Sequence, residues 1–254
     1  MEGVKMRETI TLTGMVLISS SVKEYDRRIE ILTRERGRIS AFAQGARKAG
    51  SALSACTIPF TFGEFTLYEG RSSFQLQSAV IDKFFGDIAQ DYDMTCYASY
   101  FAEMARYFTR ENIEASGELL LLYITLLALQ NKKMPAQLIR IVYEMRMMML
   151  QGQGLELFQC INCKSTDTRE VYFQAGGLVC RECAAKDKEL AGSHPFVLTP
   201  DALYTLQFIL SSKVEKVYSF LVKEEIQREL ERFMKGYLGR YLPHHFHAAE
   251  FLEG

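Results

Sequence analysis

Two Cys-x2-Cys pairs constrain this chain more than anything else in it. Cys160-Ile161-Asn162-Cys163 and Cys180-Arg181-Glu182-Cys183 are separated by sixteen residues. Each pair fits a tight turn that faces two sulfurs the same way, and two such knuckles close a tetrahedron around one ion. Four thiolates leave no open coordination position, so the spacing predicts one structural Zn2+ with no catalytic role. Two disulfides or an iron–sulfur cluster are the alternatives. Disulfides need an oxidising compartment, and Met1-Glu2-Gly3-Val4-Lys5 lacks the apolar stretch of a secretory signal. Iron–sulfur sites usually carry other spacings. A reducing cytoplasm is therefore expected, with the two remaining cysteines, Cys56 and Cys96, as semi-buried thiols.

The first third of the chain reads as strands. Thr9 to Ile18 alternates, with Ile10, Leu12, Val16 and Ile18 at even positions. Arg28 to Thr33 alternates again, Arg36-Gly37-Arg38 makes a hairpin turn, and Ile39 to Ala43 follows. Pro59 to Tyr68 and Phe74 to Ile81 complete five short strands, with a Glu69-Gly70 turn between the last two. Five strands in so short a span call for closure into a small barrel, which removes the edges. The pattern fits an OB-type barrel and also an SH3-like one.

After Asp82 the period changes to helical. Met94 to Phe108 carries Tyr97, Phe101, Met104, Ala105 and Phe108 on one stripe. Gly117 to Gln130 is strongly apolar, but its run from Leu119 to Leu129 is too short to span a bilayer and reads as a buried helix. Pro135 starts a helix from Ala136 to Gln151, stopped by Gly152 and Gly154. The cysteine region comes next, with Gly176-Gly177 as the turn before its second knuckle. Thr199-Pro200-Asp201 caps a helix running to about Ser211, and a last helix covers about Lys223 to Tyr241. The expected architecture is multidomain: a small β-barrel over residues 1–82, then an all-helical domain over 83–254, interrupted at 155–190 by a four-cysteine zinc ribbon.

Net charge is −1 and says little, but its distribution is uneven. Between Lys23 and Lys48 stand eight basic residues, including Arg27, Arg28, Arg34, Arg36, Arg38, Arg47 and Lys48, against four acidic ones. Such a stretch fits a polyanion partner, and it also fits a solvated face. The loop Gly45 to Ser51 is flexible and positive. Phe42 is either a base-stacking surface or a filler of the barrel core. On the helix after Pro135, Leu138, Ile141, Val142, Met145 and Met149 form a stripe, either core or an adaptable methionine-rich binding face. Arg140 and Arg146 flank it and are candidates for an acidic peptide.

The sequence holds no nucleophile elbow, phosphate-binding glycine loop or HExxH helix, so nothing in it argues for an enzyme. His244, His245 and His247 cluster near the end and read as surface decoration.

Three blocks together resemble one family, the bacterial recombination mediator RecO. The first is Leu32 to Lys48, with its strand–turn–strand and basic Gly45-Ala46-Arg47 loop. The second is Cys160-x2-Cys163 with Phe173-Gln174-Ala175-Gly176-Gly177-Leu178-Val179-Cys180-x2-Cys183. The third is Leu198 to Leu203 with Tyr237 to Leu242 and Phe251-Leu252. One departure is Leu155-Glu156-Leu157, where the family pattern leads one to expect a proline. The resemblance implies an OB-fold domain, a helical domain and an inserted zinc ribbon. It implies binding of single-stranded DNA, with duplex DNA as a weaker ligand, and annealing of complementary strands. It further implies partnership with RecR, contact with the acidic tail of single-strand-binding protein, and indirect help in loading RecA. A cytoplasmic, nucleoid-associated location without membrane contact goes with it.

Three hypotheses compete. A non-enzymatic mediator would neutralise phosphates with the basic stretch, so its DNA binding should fall steeply with salt. A zinc-ribbon scaffold would bind partners with the barrel incidental. A zinc hydrolase would need an open metal position that four cysteines do not leave.

Overall fold

The computed structural model describes residues 9–70 and 73–252. The N-terminal stretch Met1 to Lys5 lies outside the described residues. The chain divides into two compact units, one of residues 1–126 and 246–254, the other of residues 127–245.

Unit 1 is built on a closed five-stranded barrel. Its strands are β1 (Thr9–Val22), β2 (Asp26–Thr33), β3 (Gly37–Ala43), β4 (Thr61–Glu69) and β5 (Phe74–Phe84). The order around the barrel is β1-β2-β3-β5-β4, with β3 and β5 parallel and β1 paired to both β2 and β4. This order is that of the OB fold, and it resolves the choice the strand pattern left open. A short helix, α1 (Leu53–Cys56), lies between β3 and β4 and closes the barrel with Leu53 and Cys56.

Period-two alternation fills the interior, where Ile29 and Ile31 of β2 meet Ile39, Ala41 and Ala43 of β3, with Phe65, Leu67, Phe74 and Leu76 opposite. One expectation breaks. Leu12 and Val16 point inward, but a register shift between Val16 and Ile18 takes Ile18 out of phase and leaves it half-exposed. Gly14 sits where β1 passes from one partner strand to the other, and a Cβ there would lie 2.6 Å from the Leu32 carbonyl.

The β2–β3 turn is not free. Gly37 takes φ +62° and a Cβ on it would meet the Arg110 and Ile113 carbonyls at 2.1 and 2.4 Å. Asn112 N–H donates to Arg36 O at 2.9 Å and Ala115 N–H to Arg34 O at 3.0 Å. The segment after helix α2 (Tyr92–Phe108) is thus laced to the turn. Asp91 caps α2, accepting from Met94 N–H at 3.1 Å.

Helix α3 (Ser116–Asn131) crosses from one unit to the other. Unit 2 then contains α4 (Ala136–Leu150), α6 (Pro200–Ser211) and α7 (Glu224–Tyr241), which pack on one another. Met147 and Met148 are buried with Met145, so the methionines are core. Thr199 caps α6 through Ala202 N–H, and the buried Glu229 carboxylate of α7 accepts from both Thr199 N–H and Thr199 Oγ1 at 2.7 Å.

Between α4 and α6 lies the ribbon, with β6 (Glu170–Tyr172), β7 (Gly177–Leu178), the short α5 (Arg181–Lys186) and β8 (Phe196–Val197) in the sheet order β7-β6-β8. Phe173 docks it on α7, its ring 5.3 Å from that of Phe233 and directly over Gly236, where a Cβ would approach to 2.8 Å. At the position of the expected proline, Glu156 N–H donates to Gly176 O at 3.0 Å. A proline would have no proton to give there.

Candidate metal centre and nucleic-acid interface

The four cysteines converge. The Sγ atoms of Cys160, Cys163, Cys180 and Cys183 all lie within 4.8 Å of one another, and none is in a disulfide. Cys163 and Cys180 sulfurs are 3.6 Å apart. A disulfide needs about 2.05 Å, whereas tetrahedral zinc–thiolate bonds of about 2.3 Å place sulfurs about 3.8 Å apart. The separation fits an ion and not a crosslink.

The knuckles have a local cause. Lys164 at φ +65° turns the first back, so that its N–H reaches Cys160 O at 3.0 Å. Cys180 is the residue before α5, and Ala184 N–H bonds its carbonyl at 2.9 Å. Cys180 N–H donates to Cys160 Sγ at 3.3 Å. Burial alone would hold the Cys160 proton, but N–H groups of Cys163, Cys180 and Asn162 outweigh it and lower the thiol to about 6. Cys183, hydrogen-bonded first to Cys180, is pushed up to about 12. The two sulfurs are thus pushed in opposite directions within one cluster. The apolar cluster below is small: Tyr172, Val179, Ala184 and Leu190 around Cys160.

The basic residues separate into two groups. Arg27, Arg28, Arg47 and Lys48 stand at the start of β2 and in the loop after β3. Arg34, Arg36 and Arg38 stand at the other end of the hairpin, about 20 Å along the strand at 3.3 Å per residue.

The first group is gathered by hydrogen bonds. Gly45 N–H donates to Asp26 Oδ1 at 2.8 Å and Arg47 N–H to Tyr25 O at 2.9 Å, so the loop folds onto the β1–β2 turn. Lys48 Nζ then sits 5.7 Å from the Tyr25 ring centre. Ser20, Arg28, Phe42 and Gln75 share one row across β1, β2, β3 and β5. Phe42 is 38 % exposed between the buried Ala41 and Ala43, so it faces solvent and not the barrel interior. Arg28 Nε reaches Ser40 Oγ at 2.9 Å, and Arg27 Nη1 reaches Thr57 Oγ1 at 3.2 Å.

The second group is engaged internally. Arg38 donates to Glu30 at 3.0 Å and to Thr109 O at 3.3 Å. Arg36 donates to Asn112 Oδ1 at 2.9 Å and lies 3.9 Å from Glu69. Arg34 is exposed.

Tyr25 is the residue that sequence reasoning missed. It is 45 % exposed beside Lys48, and its signal was only an aromatic among charges in a turn.

Arg140 and Arg146 both have partners within unit 2. Arg140 Nε pairs with the buried Glu144 at 2.7 Å. Arg146 Nη1 donates to the Ile209, Leu210 and Ser212 carbonyls at 3.1–3.2 Å, closing the C-terminus of α6.

An OB barrel with an aromatic, cationic outer face, joined to a helical body that carries a four-cysteine ribbon, defines a class of nucleic-acid-handling architecture. Comparison with known proteins gives the family. Residues 6–85 match the family described as Recombination protein O N terminal, and residues 89–250 match Recombination protein O C terminal. The chain belongs to the RecO family. It is 29 % identical to DNA repair protein RecO of Acetivibrio thermocellus over 245 residues, 95 % of each chain. It is 29 % identical to that of Clostridium acetobutylicum, covering 89 % of this chain and 90 % of the relative. With the Bacillus pumilus protein identity is 29 %, over 90 % of this chain and 89 % of the relative. Among the described residues no helix is long and apolar enough to cross a membrane.

Proposed function

We propose that this chain is a non-enzymatic DNA repair and recombination mediator. It binds single-stranded DNA on the outer face of β2 and β3, and duplex DNA more weakly. By neutralising phosphates on two strands it lowers their repulsion and nucleates annealing. It acts with RecR, meets the acidic tail of single-strand-binding protein, and so helps load RecA onto coated strands. One observation carries the reading: two exposed rings each stand beside cations, Phe42 next to Arg28 on the outer face of β2 and β3, and Tyr25 next to Arg47 and Lys48 where the loop after β3 folds onto the β1–β2 turn. Cations track phosphates while rings accept bases, a pairing of groups suited to single strands. Arg27 supports that face from the side. In this reading Arg34, Arg36 and Arg38 extend it at the hairpin turn, with Arg36 and Arg38 chiefly holding the barrel to α2 and the segment after it. Arg146 ties α4 to the end of α6 and Arg140 pairs with Glu144 along α4, and in this reading the acidic tail is left to other residues.

The cysteine cluster takes one Zn2+ in a purely structural role. All four tetrahedral positions go to protein sulfur, which leaves none for water or substrate.

The test is annealing of two complementary oligonucleotides coated with cognate single-strand-binding protein, at low and moderate salt. Fast annealing that slows with salt is expected, with the binding slope near 0.7 log units per phosphate contacted. Changing Arg28, Arg47 and Lys48 to Ala should remove about two units of that slope. No annealing, with the coating protein's tail still bound, would replace this reading with the scaffold one.

A further inference from the structure

The inner row of the β1–β2 ladder changes character at the mouth of the barrel. Val16 lies opposite Ile31 in the interior, but further along the same row Ser19 stands opposite Ile29 and Ser21 opposite Arg27. Alternation puts this row on the other side of the ladder from Ser20, Arg28 and Phe42. Ser19, Ser21 and Arg27 line a pocket of about 250 Å³ with Ile58 and Pro59. Phe60 N–H donates to Val16 O at 2.7 Å, which pins the Ile58–Pro59 wall to β1.

Arg27 is held from behind. Thr57 is buried, and its hydroxyl donates to the Leu53 and Ser54 carbonyls of α1 at 2.9 and 3.0 Å. Its lone pairs are left to accept from Arg27 Nη1 at 3.2 Å. The same Nη1 reaches Thr57 O at 3.5 Å. Both Nη1 protons are thereby engaged, and Nε with Nη2 remains, the two-donor edge with which a guanidinium grips an oxyanion. Among the described residues no carboxylate pairs with Arg27, and neither Ser19 nor Ser21 makes a side-chain hydrogen bond. The adjacent acid, Asp26, is on the opposite side of the strand and accepts from Gly45 N–H at 2.8 Å. The pocket therefore combines an oriented cation, two unengaged hydroxyls and no acidic lining residue. Donors gathered in this way suit a phosphate.

The exposed Tyr25 ring belongs to the turn that joins Ser21 to Arg27, so a DNA strand stacked on that ring passes the edge of the pocket. We propose that Arg27, Ser19 and Ser21 hold one backbone phosphate of the bound single strand as it crosses the β1–β2 turn. The inference rests on the strand-binding function proposed above and adds to it a contact on the second side of the ladder, away from the Arg28–Phe42 row.

The test is anisotropy of labelled single-stranded DNA with the full chain across a chloride series. Ser21→Asp sets a carboxylate against Arg27. It should lower affinity several-fold and reduce the salt slope by about 0.7 log units, the equivalent of one phosphate. Ser21→Asn, neutral and of the same size, should keep the parent's slope. Ser19→Ala with Ser21→Ala removes hydroxyls that bond nothing in the protein, so binding should weaken several-fold with the melting temperature unchanged. Inorganic phosphate at matched ionic strength should compete with DNA more strongly in the parent than in Ser21→Asp. The proposal is overturned if Ser21→Asp and the double alanine variant bind DNA like the parent, even where phosphate alone enters the pocket. It is equally overturned if Ser21→Asn loses as much slope as Ser21→Asp, or if phosphate competes equally against both proteins. A parent chain that binds no single strand would instead remove the proposed function itself, and this contact with it.

Discussion

Glu30 of β2 and Arg106 of α2 meet at two points, Nε to Oε2 at 2.8 Å and Nη2 to Oε1 at 3.0 Å. Arg38 adds a third bond to the same carboxylate at 3.0 Å. One acid on the barrel thus organises two arginines that a charge count would have assigned to solvent or to DNA.

That pair is expected to carry stability with a defined pH signature. Burial opposes ionisation of Glu30, but Arg106 and then Arg38 prevail and hold its carboxyl below the ordinary 4.5. A depressed folded-state value means the contribution is present above about pH 4.5 and lost as pH falls through the lower folded value. Glu30→Gln should destabilise unit 1 by about 1–3 kcal/mol at neutral pH, leaving two arginines half-paired. Urea denaturation from pH 7 to pH 3 checks this: the gap between parent and variant should close toward the acid end. A gap independent of pH would mean that the charge of Glu30 contributes nothing.

Rings and cations on the barrel face are expected to separate in their salt behaviour. Phe42→Ala and Tyr25→Ala each remove a stacking surface, at about 1–3 kcal/mol per base. Their effect should shift affinity at every salt concentration by the same factor, because no phosphate contact is lost. Anisotropy of labelled single-stranded DNA across a salt series reads both quantities at once. A change in slope for Phe42→Ala, or no change in affinity, would remove the rings from the binding face.

Metal removal should unfold part of the molecule and not all of it. The ribbon has a five-residue apolar cluster, too small to hold it without an ion, whereas the barrel has its own interior. A strong chelator is expected to release one Zn2+ per chain and to expose the segment around 160–190 to protease, with single-strand binding retained. Loading should also weaken as pH falls, since each thiol must shed its proton to bind. Loss of the barrel's hydrogen-exchange protection on chelation would show that the ribbon supports more than itself.

Arg146 is expected to matter for folding and not for DNA. Burial lowers its pKa below the ordinary arginine value, and its charge is placed against three carbonyls at the end of α6. Arg146→Met keeps the stem and deletes the donors, which should cost about 1–3 kcal/mol by leaving carbonyls unpaired. Thermal melting measures the loss, and DNA affinity of the folded variant should equal that of the parent.

What the sequence determined by itself is what short-range chemistry decides. The Cys160–Cys183 spacing brought four sulfurs together because each knuckle is a local turn. Thr199-Pro200 started α6 because a hydroxyl and a fixed φ suffice to do so. Alternation set Ile29 and Ile31 inside the barrel, and the resemblance of three blocks to RecO anticipated the family. Only the tertiary structure decided questions that depend on distant partners. Alternation around Phe42 left its direction open until β3 was paired with β2 and β5. Arg38 and Arg106 are sixty-eight residues apart in sequence, and no local signal says that both will find Glu30. The register shift after Val16 takes Ile18 out of phase and leaves it half-exposed, where period-two reading assigns it to the core. Pattern fixes which side chains prefer burial, but the closing of the barrel and the packing of α2 fix which charges meet and which apolar faces stay open.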